Sequence, residues 1–497
     1  MKKSKVVQLA LALLLTLSII ALPIKAAFAA DNIAQTKTNV TINKRIWSDT
    51  TPQDRQNTGE VMQDFGGTPL PGAEFTIYDV TAKYHELIRG SDQKTALAGI
   101  QKAAENGVPA FATKPTSQTT DNNGQTKFED LDIKNTNGQY KVYLFLETKT
   151  PDNITVTKKS APIVLAMPIY KLANNKPTNS LNTDIQLYPK NQTATDKKEF
   201  TNVGSFDTLT IGATKFANVA TGDTLNYKLT VNLPANIGNK AEVQSYKIFD
   251  TPTAGLALNG ENVKVGELTK DTDYTITFAG GGFTVDLNLD SGKVKALAGQ
   301  PLVLTYDMKL TAEVKPDDLQ NNTASVKINK GPNQQITPPT PVGTGGYKFV
   351  KKDAQTGKEL SGAEFVVINK DNKFAKFISN KNNNGEYVFE SWVTTQAEAT
   401  KVISDQTGSI RVIGLTNGDY VLNETKAPSD HYVLLADGTI KFTVEHGKYG
   451  ESHLDVLNTP KGLLPSTGGA GVYGFVIIGL AMMTTAIFWF KKHRKQA

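Results

Sequence analysis

Cysteine is absent from this 497-residue chain. That excludes disulfides and thiolate metal sites. Histidine is scarce: His85, His431, His446, His453 and His493 form no HExxH or related spacing, and neither a GxSxG elbow nor a phosphate-binding loop occurs. No metal, no cofactor and no turnover enzyme is therefore expected. Helical periodicity is sparse too. Its best candidate is SDQKTALAGIQKAAENG, Ser91 to Gly107, with a serine N-cap and a closing glycine, which reads as an insertion in a β domain. A basic surface is missing once the chain ends are set aside. Lys2, Lys3, Lys5 and Lys25 lie in the first thirty residues and Lys491, Lys492, Arg494 and Lys495 in the last seven, so removing both turns a formal +6 into −2. The electrostatic basis of nucleic-acid binding goes with them.

What is present begins at those ends. Three early lysines, an apolar run and small residues around Ala27-Phe28-Ala29 are laid out as a secretory signal peptide over 1–30. Ala470 to Phe490 is uncharged and as long as a membrane-spanning helix needs to be, and KKHRKQA follows as a positive stop. LPSTG, Leu464 to Gly468, stands just ahead of it. Between the ends lie short runs rich in β-branched and aromatic residues: VYLFLE, NYKLTVNL, YTITF, FTVDLNL, LVLTYDMKLTAEV, AEFVVI and IKFTV, punctuated by Gly, Asn and Asp. A Pro/Gly-rich stretch, Ile336 to Gly346, reads as a linker. Two blocks recur in the same order: TPLPGAEFTIYD (Thr68 to Asp79) with VYLFLETKTPDN (Val142 to Asn153), and KELSGAEFVVIN (Lys358 to Asn369) with YVLNETKAPSDHYVL (Tyr420 to Leu434). One domain type is thus present twice.

The LPSTG motif with its apolar span and basic tail resembles the sorting signal of Gram-positive surface proteins. With the YPKN segment (Tyr188 to Asn191) and the ETxAP-type segment, the chain resembles the backbone subunit of sortase-assembled Gram-positive pili, an isopeptide-forming pilin. The resemblance implies an all-β chain of tandem immunoglobulin-like β-sandwiches: CnaB-like over 31–189, CnaA-like over 190–337, a linker over 338–343, CnaB-like over 344–460, and the sorting signal over 461–497. It also implies that a sortase thiolate attacks the Thr467 carbonyl within Leu464, Pro465, Ser466, Thr467 and Gly468, and that Lys190 of another subunit resolves the thioester. That lysine is expected to be solvent-accessible and hydrated. The implied partners are a pilus-class and a housekeeping sortase, further copies of the chain, ancillary pilins, peptidoglycan and a host-surface ligand. A monomeric LPXTG-anchored adhesin is the alternative.

A second chemistry follows from the same resemblance. A lysine, an asparagine and a carboxylic acid buried together condense to an isopeptide bond, because desolvation favours the neutral amine and the neutral acid. The implied triads are Lys351, Glu424 and Asn458; Lys198 (or Lys197), Asp250 and Asn322 (or Asn321); and Lys44, Glu147 and Asn191. Joining the first strand of a domain to the last is worth on the order of 4 to 5 kcal/mol in the chain-entropy picture.

Overall fold

The computed structural model describes residues 36–174, 176–435, 438–451, 453–462 and 471–493. The expected signal peptide and the LPSTG motif lie outside these residues. The chain divides into two compact units, 1–344 and 345–497.

The first unit opens with a β-sandwich. One sheet sets Lys37–Asn43 between Gln125–Asp132 and Asp184–Leu187, the last running parallel to it. The facing sheet orders Thr113–Thr119, Glu74–Asp79, Val142–Lys149 and Ile163–Ala166, all antiparallel. The run VYLFLE is apolar without alternation because both faces of its strand are covered. Tyr143 and Phe145 enter the sandwich core with Val40, Ile42, Phe75 and Leu187. Val142, Leu144 and Leu146 meet two helices on the outer face, Thr81–Leu87 and Gln93–Ala103, through Tyr84, Leu97 and Ile100. The second of these is the expected helix, but its N-cap is Asp92, whose carboxylate accepts from the Thr95 N–H at 2.7 Å. Ser91 donates instead to the Leu87 carbonyl, closing the preceding helix; Thr81–Leu87 was not expected.

A second sandwich follows within the same unit. Lys197–Phe200, Leu225–Asn232, Pro301–Leu310 and Leu256–Val265 form one sheet. Tyr274–Ala279, Gly282–Leu287, Tyr246–Pro252, Asn322–Ile328 and Gln334–Ile336 form the other. Two boundaries differ from expectation. Lys190–Thr193 pairs in parallel with Arg45–Ser48, so the strand that begins in the YPKN segment belongs to the first sandwich, not to the middle domain. Within the expected linker 338–343, Val342–Gly343 pairs in parallel with Ala217 and Asn218 as an added strand.

The second unit is one continuous series of strands. Thr439–Val444, Gly418–Lys426, Glu364–Asn369, Phe374–Phe377, Tyr387–Val393, Ser409–Leu415, Gly345–Asp353 and Leu454–Asn458 follow one another. Its first and last strands are parallel neighbours, with Asp353 opposite Asn458. The expected membrane span forms a single helix, Gly471–His493, of 23 residues. At 1.5 Å per residue that is roughly 35 Å, the thickness of a bilayer core. Its described apolar side chains, among them Val476, Leu480, Phe488 and Trp489, are exposed. Among the described residues no helix is long and apolar enough to cross a membrane.

Candidate functional site: three buried lysine clusters and one surface lysine

Lys44 occupies the break between Lys37–Asn43 and Arg45–Ser48, pinned through its backbone: its N–H donates to the Gly124 carbonyl at 2.7 Å and its carbonyl accepts from Leu70 N–H at 3.1 Å. Its fully buried side chain lies over the Phe75 ring, 5.3 Å from the centroid. Phe75 stands opposite Glu147 across the sheet. Lys44 Nζ donates to Glu147 Oε2 at 2.9 Å and to Asn191 Oδ1 at 2.6 Å, and Asn191 Nδ2 donates to Glu147 Oε1 at 2.7 Å. All three expected members of the first triad are therefore in mutual contact. Burial pushes Lys44 down to about 8 despite Glu147 beside it. The expected rise of the acid does not occur here: burial works to raise Glu147, but the Lys44 ammonium, with Lys159 and the Asn191 hydrogen bond, outweighs it and holds the carboxyl below its ordinary range.

The cluster in the second unit repeats this plan. Lys351 N–H donates to the Gly408 carbonyl at 2.7 Å, its carbonyl accepts from Leu360 N–H at 2.8 Å, and Nζ lies 5.6 Å from the Phe365 centroid. Phe365 stands opposite Glu424, with a register shift after Glu364 as there is after Glu74. The repeated GAEF blocks and the ETK-containing blocks that follow them thus encode a phenylalanine floor and the acid facing it. Lys351 Nζ is 3.2 Å from Glu424 Oε1, an ion pair without hydrogen-bond geometry, and Asn458 Nδ2 donates to Glu424 Oε2 at 3.0 Å and to the Val433 carbonyl at 2.6 Å. Burial pushes the Lys351 ammonium down, against the pull of Glu424. A third matched block went unread in the sequence: the turns DNNG (Asp121 to Gly124) and DQTG (Asp405 to Gly408). Both glycines have positive φ, +71° and +69°, and a Cβ there would come within 2.6 Å and 2.5 Å of the Lys44 and Lys351 carbonyl oxygens.

The middle cluster bridges the two sheets of its sandwich. Lys198 is buried and Lys197 exposed, as strand alternation requires, and Asn322 is more deeply buried than Asn321. Lys198 Nζ donates to Asp250 Oδ2 at 2.5 Å and to the Thr323 carbonyl at 3.0 Å. Asn322 Nδ2 donates to Tyr306 Oη at 3.4 Å and to Met308 Sδ at 2.9 Å, and Tyr306 Oη donates to Asp250 Oδ2. Burial lowers Lys198 to about 8, opposed by Asp250, and raises Asp250, opposed by Lys198. Tyr306, which links acid to amide, was missed: in LVLTYDMKL it reads as one more inward-facing aromatic.

Lys190 stands apart from the clusters. It precedes Asn191 on the same strand, so alternation sends Asn191 into the core and Lys190 outward. The expectation of a freely hydrated lysine is corrected. The side chain is half-buried, Nζ donates to the carbonyls of Gln53 at 2.8 Å and Arg55 at 3.1 Å, and the Phe65 ring is 5.3 Å away. Burial beneath that loop lowers its affinity for a proton, with Asp54 working against the shift. Its expected partner Thr467, with Leu464, Pro465, Ser466 and Gly468, lies outside the described residues. Among the described residues no group of three or more metal-ligating side chains converges.

Comparison with known proteins finds matches along most of the chain. Residues 35–192 match the Gram-positive pilin subunit D1 N-terminal domain, 345–457 a prealbumin-like fold domain, and 457–497 the LPXTG cell wall anchor motif. The fimbrial subunit type 2 of Actinomyces naeslundii is 26% identical over 493 residues, spanning 90% of this chain and 88% of the relative. Among solved structures, the full-length RrgB pilus protein of Streptococcus pneumoniae aligns with a TM-score of 0.53 at 18% identity, over 88% of this chain and all of that one. The full-length major pilin SpaD of Corynebacterium diphtheriae aligns at 0.45 and 22% identity, over 86% of this chain and 98% of that one.

Proposed function

We propose, on the premise that this chain belongs to the sortase-assembled Gram-positive pilin subunits, that it is the repeating unit of a covalent pilus shaft held on the cell wall by its LPXTG anchor. A sortase thiolate attacks the Thr467 carbonyl, the peptide bond to Gly468 breaks, and the chain is held as a thioester. Lys190 Nζ of the next subunit attacks that carbonyl, forms an amide and releases the thiolate. The observation that carries this reading is the division of labour along Lys190–Thr193: the lysine is directed out of the core and only half-buried, while the adjacent asparagine is sealed in the core. Its tethering beneath residues 50–67 supports the role, since a partly desolvated amine gives up its proton more readily than a hydrated one.

The three buried clusters serve a second, internal chemistry. In each, a proton passes from the lysine ammonium to the carboxylate, the neutral amine attacks the asparagine Cγ, the acid gives that proton to the departing nitrogen and then takes the surplus proton from the attacking nitrogen, so that ammonia leaves, a secondary amide remains and the acid ends protonated. Each event occurs once per molecule, which makes the subunit a self-crosslinking structural protein without turnover. Its partners are a pilus-class sortase, the housekeeping sortase that transfers the finished fibre to peptidoglycan, and ancillary pilins. The test is Lys190→Ala. Cell-wall extracts of the wild type are expected to show an SDS-resistant ladder, and the variant only a folded, wall-attached monomer. A ladder unchanged in the variant would favour the monomeric adhesin or another linking lysine.

A further inference from the structure

Asn191 differs from the other two reacting asparagines in what its carbonyl oxygen meets. Asn322 Oδ1 and Asn458 Oδ1 are buried without a hydrogen-bond donor among the described residues. Asn191 Oδ1 accepts from the Ser160 backbone N–H at 2.7 Å as well as from Lys44. Ser160 Oγ donates in turn to Glu147 Oε2 at 2.9 Å. The residue sits where it does because the segment before it runs beside the strand Lys190–Thr193. Thr157 and Lys158 N–H donate to the Gln192 carbonyl and Gln192 N–H donates back to Lys158. Lys159 is tied to Glu242 of the second sandwich at 2.8 Å.

We propose that Ser160 is a catalytic residue of the first-domain condensation, its backbone N–H serving as the oxyanion donor for the Lys44 attack on Asn191. The inference rests on the reading that Lys44 and Asn191 condense. Two consequences follow from one hydrogen bond. A backbone N–H can face only the oxygen of the amide, so it turns the Asn191 nitrogen, the leaving group, toward Glu147 Oε1, where the proton it needs is delivered. When Nζ adds to Cγ the carbonyl π pair moves onto Oδ1, and the same N–H stabilises that charge in a site closed to water. Collapse of the intermediate restores the carbonyl, breaks Cγ–Nδ2 and expels ammonia.

The test uses the full chain in two variants. Ser160→Ala keeps the N–H and loses only the hydroxyl; Ser160→Pro removes the N–H as well. Bond formation is followed by the Lys44–Asn191 peptide in tryptic digests and by loss of one ammonia from the intact mass. The Ala variant is expected to cross-link, and the Pro variant to form the bond about a hundredfold more slowly, as for loss of one oxyanion donor. Cross-linking of the Pro variant at the wild-type rate would overturn the role of Ser160 alone. Absence of the Lys44–Asn191 peptide from the wild type would overturn both this inference and the reading beneath it. Glu147→Ala provides the melting temperature of a folded, unlinked first domain. Should Ser160→Pro melt below it, the contact is read directly in Glu147→Gln by NMR. A Ser160 amide protected from exchange there, and released by adding Asn191→Ala, is the expected result; free exchange in Glu147→Gln overturns the proposal.

Discussion

Lys198 and Asp250 are shifted in opposite directions by one cause, the removal of water, and each shift ties the stability of the uncrosslinked domain to pH. Asn322→Ala deletes the electrophile and leaves both groups unlinked. Lys198 falls from 10.5 to about 8 on folding. Between those values the unfolded chain binds more protons, so stability rises as pH rises through the window and carries a constant penalty below it. Asp250 is raised above 3.8, so folding is favoured at the acid end and stability falls as pH rises through its folded pKa. The unreacted domain is therefore least stable around neutrality. The melting gap between wild type and Asn322→Ala is expected to narrow as pH goes from about 8 toward 10, by at most on the order of 3 kcal/mol. A gap that stays constant in calorimetry over that range would mean that Lys198 keeps an ordinary pKa. At this scale the members of the buried lysine clusters were legible only through motif resemblance. Tyr306 and Ser160 were not, for different reasons: Tyr306 hides in regular alternation, and the Ser160 donor is a backbone N–H that no side-chain letter marks.

At the scale of elements, the segment 150–160 after the strand Val142–Lys149 connects the two sandwiches of the first unit. Ala235 N–H donates to the Val156 carbonyl at 2.9 Å, Asn329 Nδ2 to Asp152 Oδ1 at 2.8 Å, and Lys159 Nζ to both oxygens of Glu242. Glu242 also accepts from Asn236 Nδ2 and Asn239 Nδ2. Removing it takes the acceptor from three donors, of which Asn236 Nδ2 keeps Thr150 Oγ1 at 3.3 Å and Asn239 Nδ2 is open to water, whereas removing Lys159 leaves the carboxylate two amides. Glu242→Ala is expected to cost about 1 to 3 kcal/mol in denaturant unfolding, and more than Lys159→Ala; the reverse order would show that the ion pair itself dominates. Strands were well legible where alternation or β-branching is continuous, as in Leu225–Asn232 and Pro301–Leu310. The N-cap slipped by one residue because Ser91 and Asp92 are both good caps and only tertiary geometry chooses between them. Proline and glycine at 338–346 signalled a linker, but neither forbids edge pairing, and Val342–Gly343 uses its free backbone groups on the strand Thr214–Asn218.

Across the whole molecule, the proposed linkage decides which residues carry tension in a fibre. Force enters a subunit through Lys190 Nζ and leaves through Thr467, so everything before Lys190 hangs beside the covalent path. The three internal bonds then have different work. Lys198–Asn322 and Lys351–Asn458 lie on the path and shunt tension past the strands between them. Lys44–Asn191 closes a loop that lies almost wholly off it and guards the first domain against proteolysis and thermal opening instead. Pulling single native polymers should separate these roles. Asn322→Ala is expected to add an unfolding step of about 40 nm per subunit and Asn458→Ala one of about 35 nm, the extended lengths of the chains released, at roughly 3.4 Å per residue. Asn191→Ala is expected to add no step of that size, only the peeling of Lys190–Thr193, under about 2 nm. It should nonetheless lower the melting temperature and hasten tryptic cleavage of the first domain. A step of about 50 nm in Asn191→Ala polymers, the length of the segment from Lys44 to Asn191, would mean that load passes through the first domain and that Lys190 is not its point of entry.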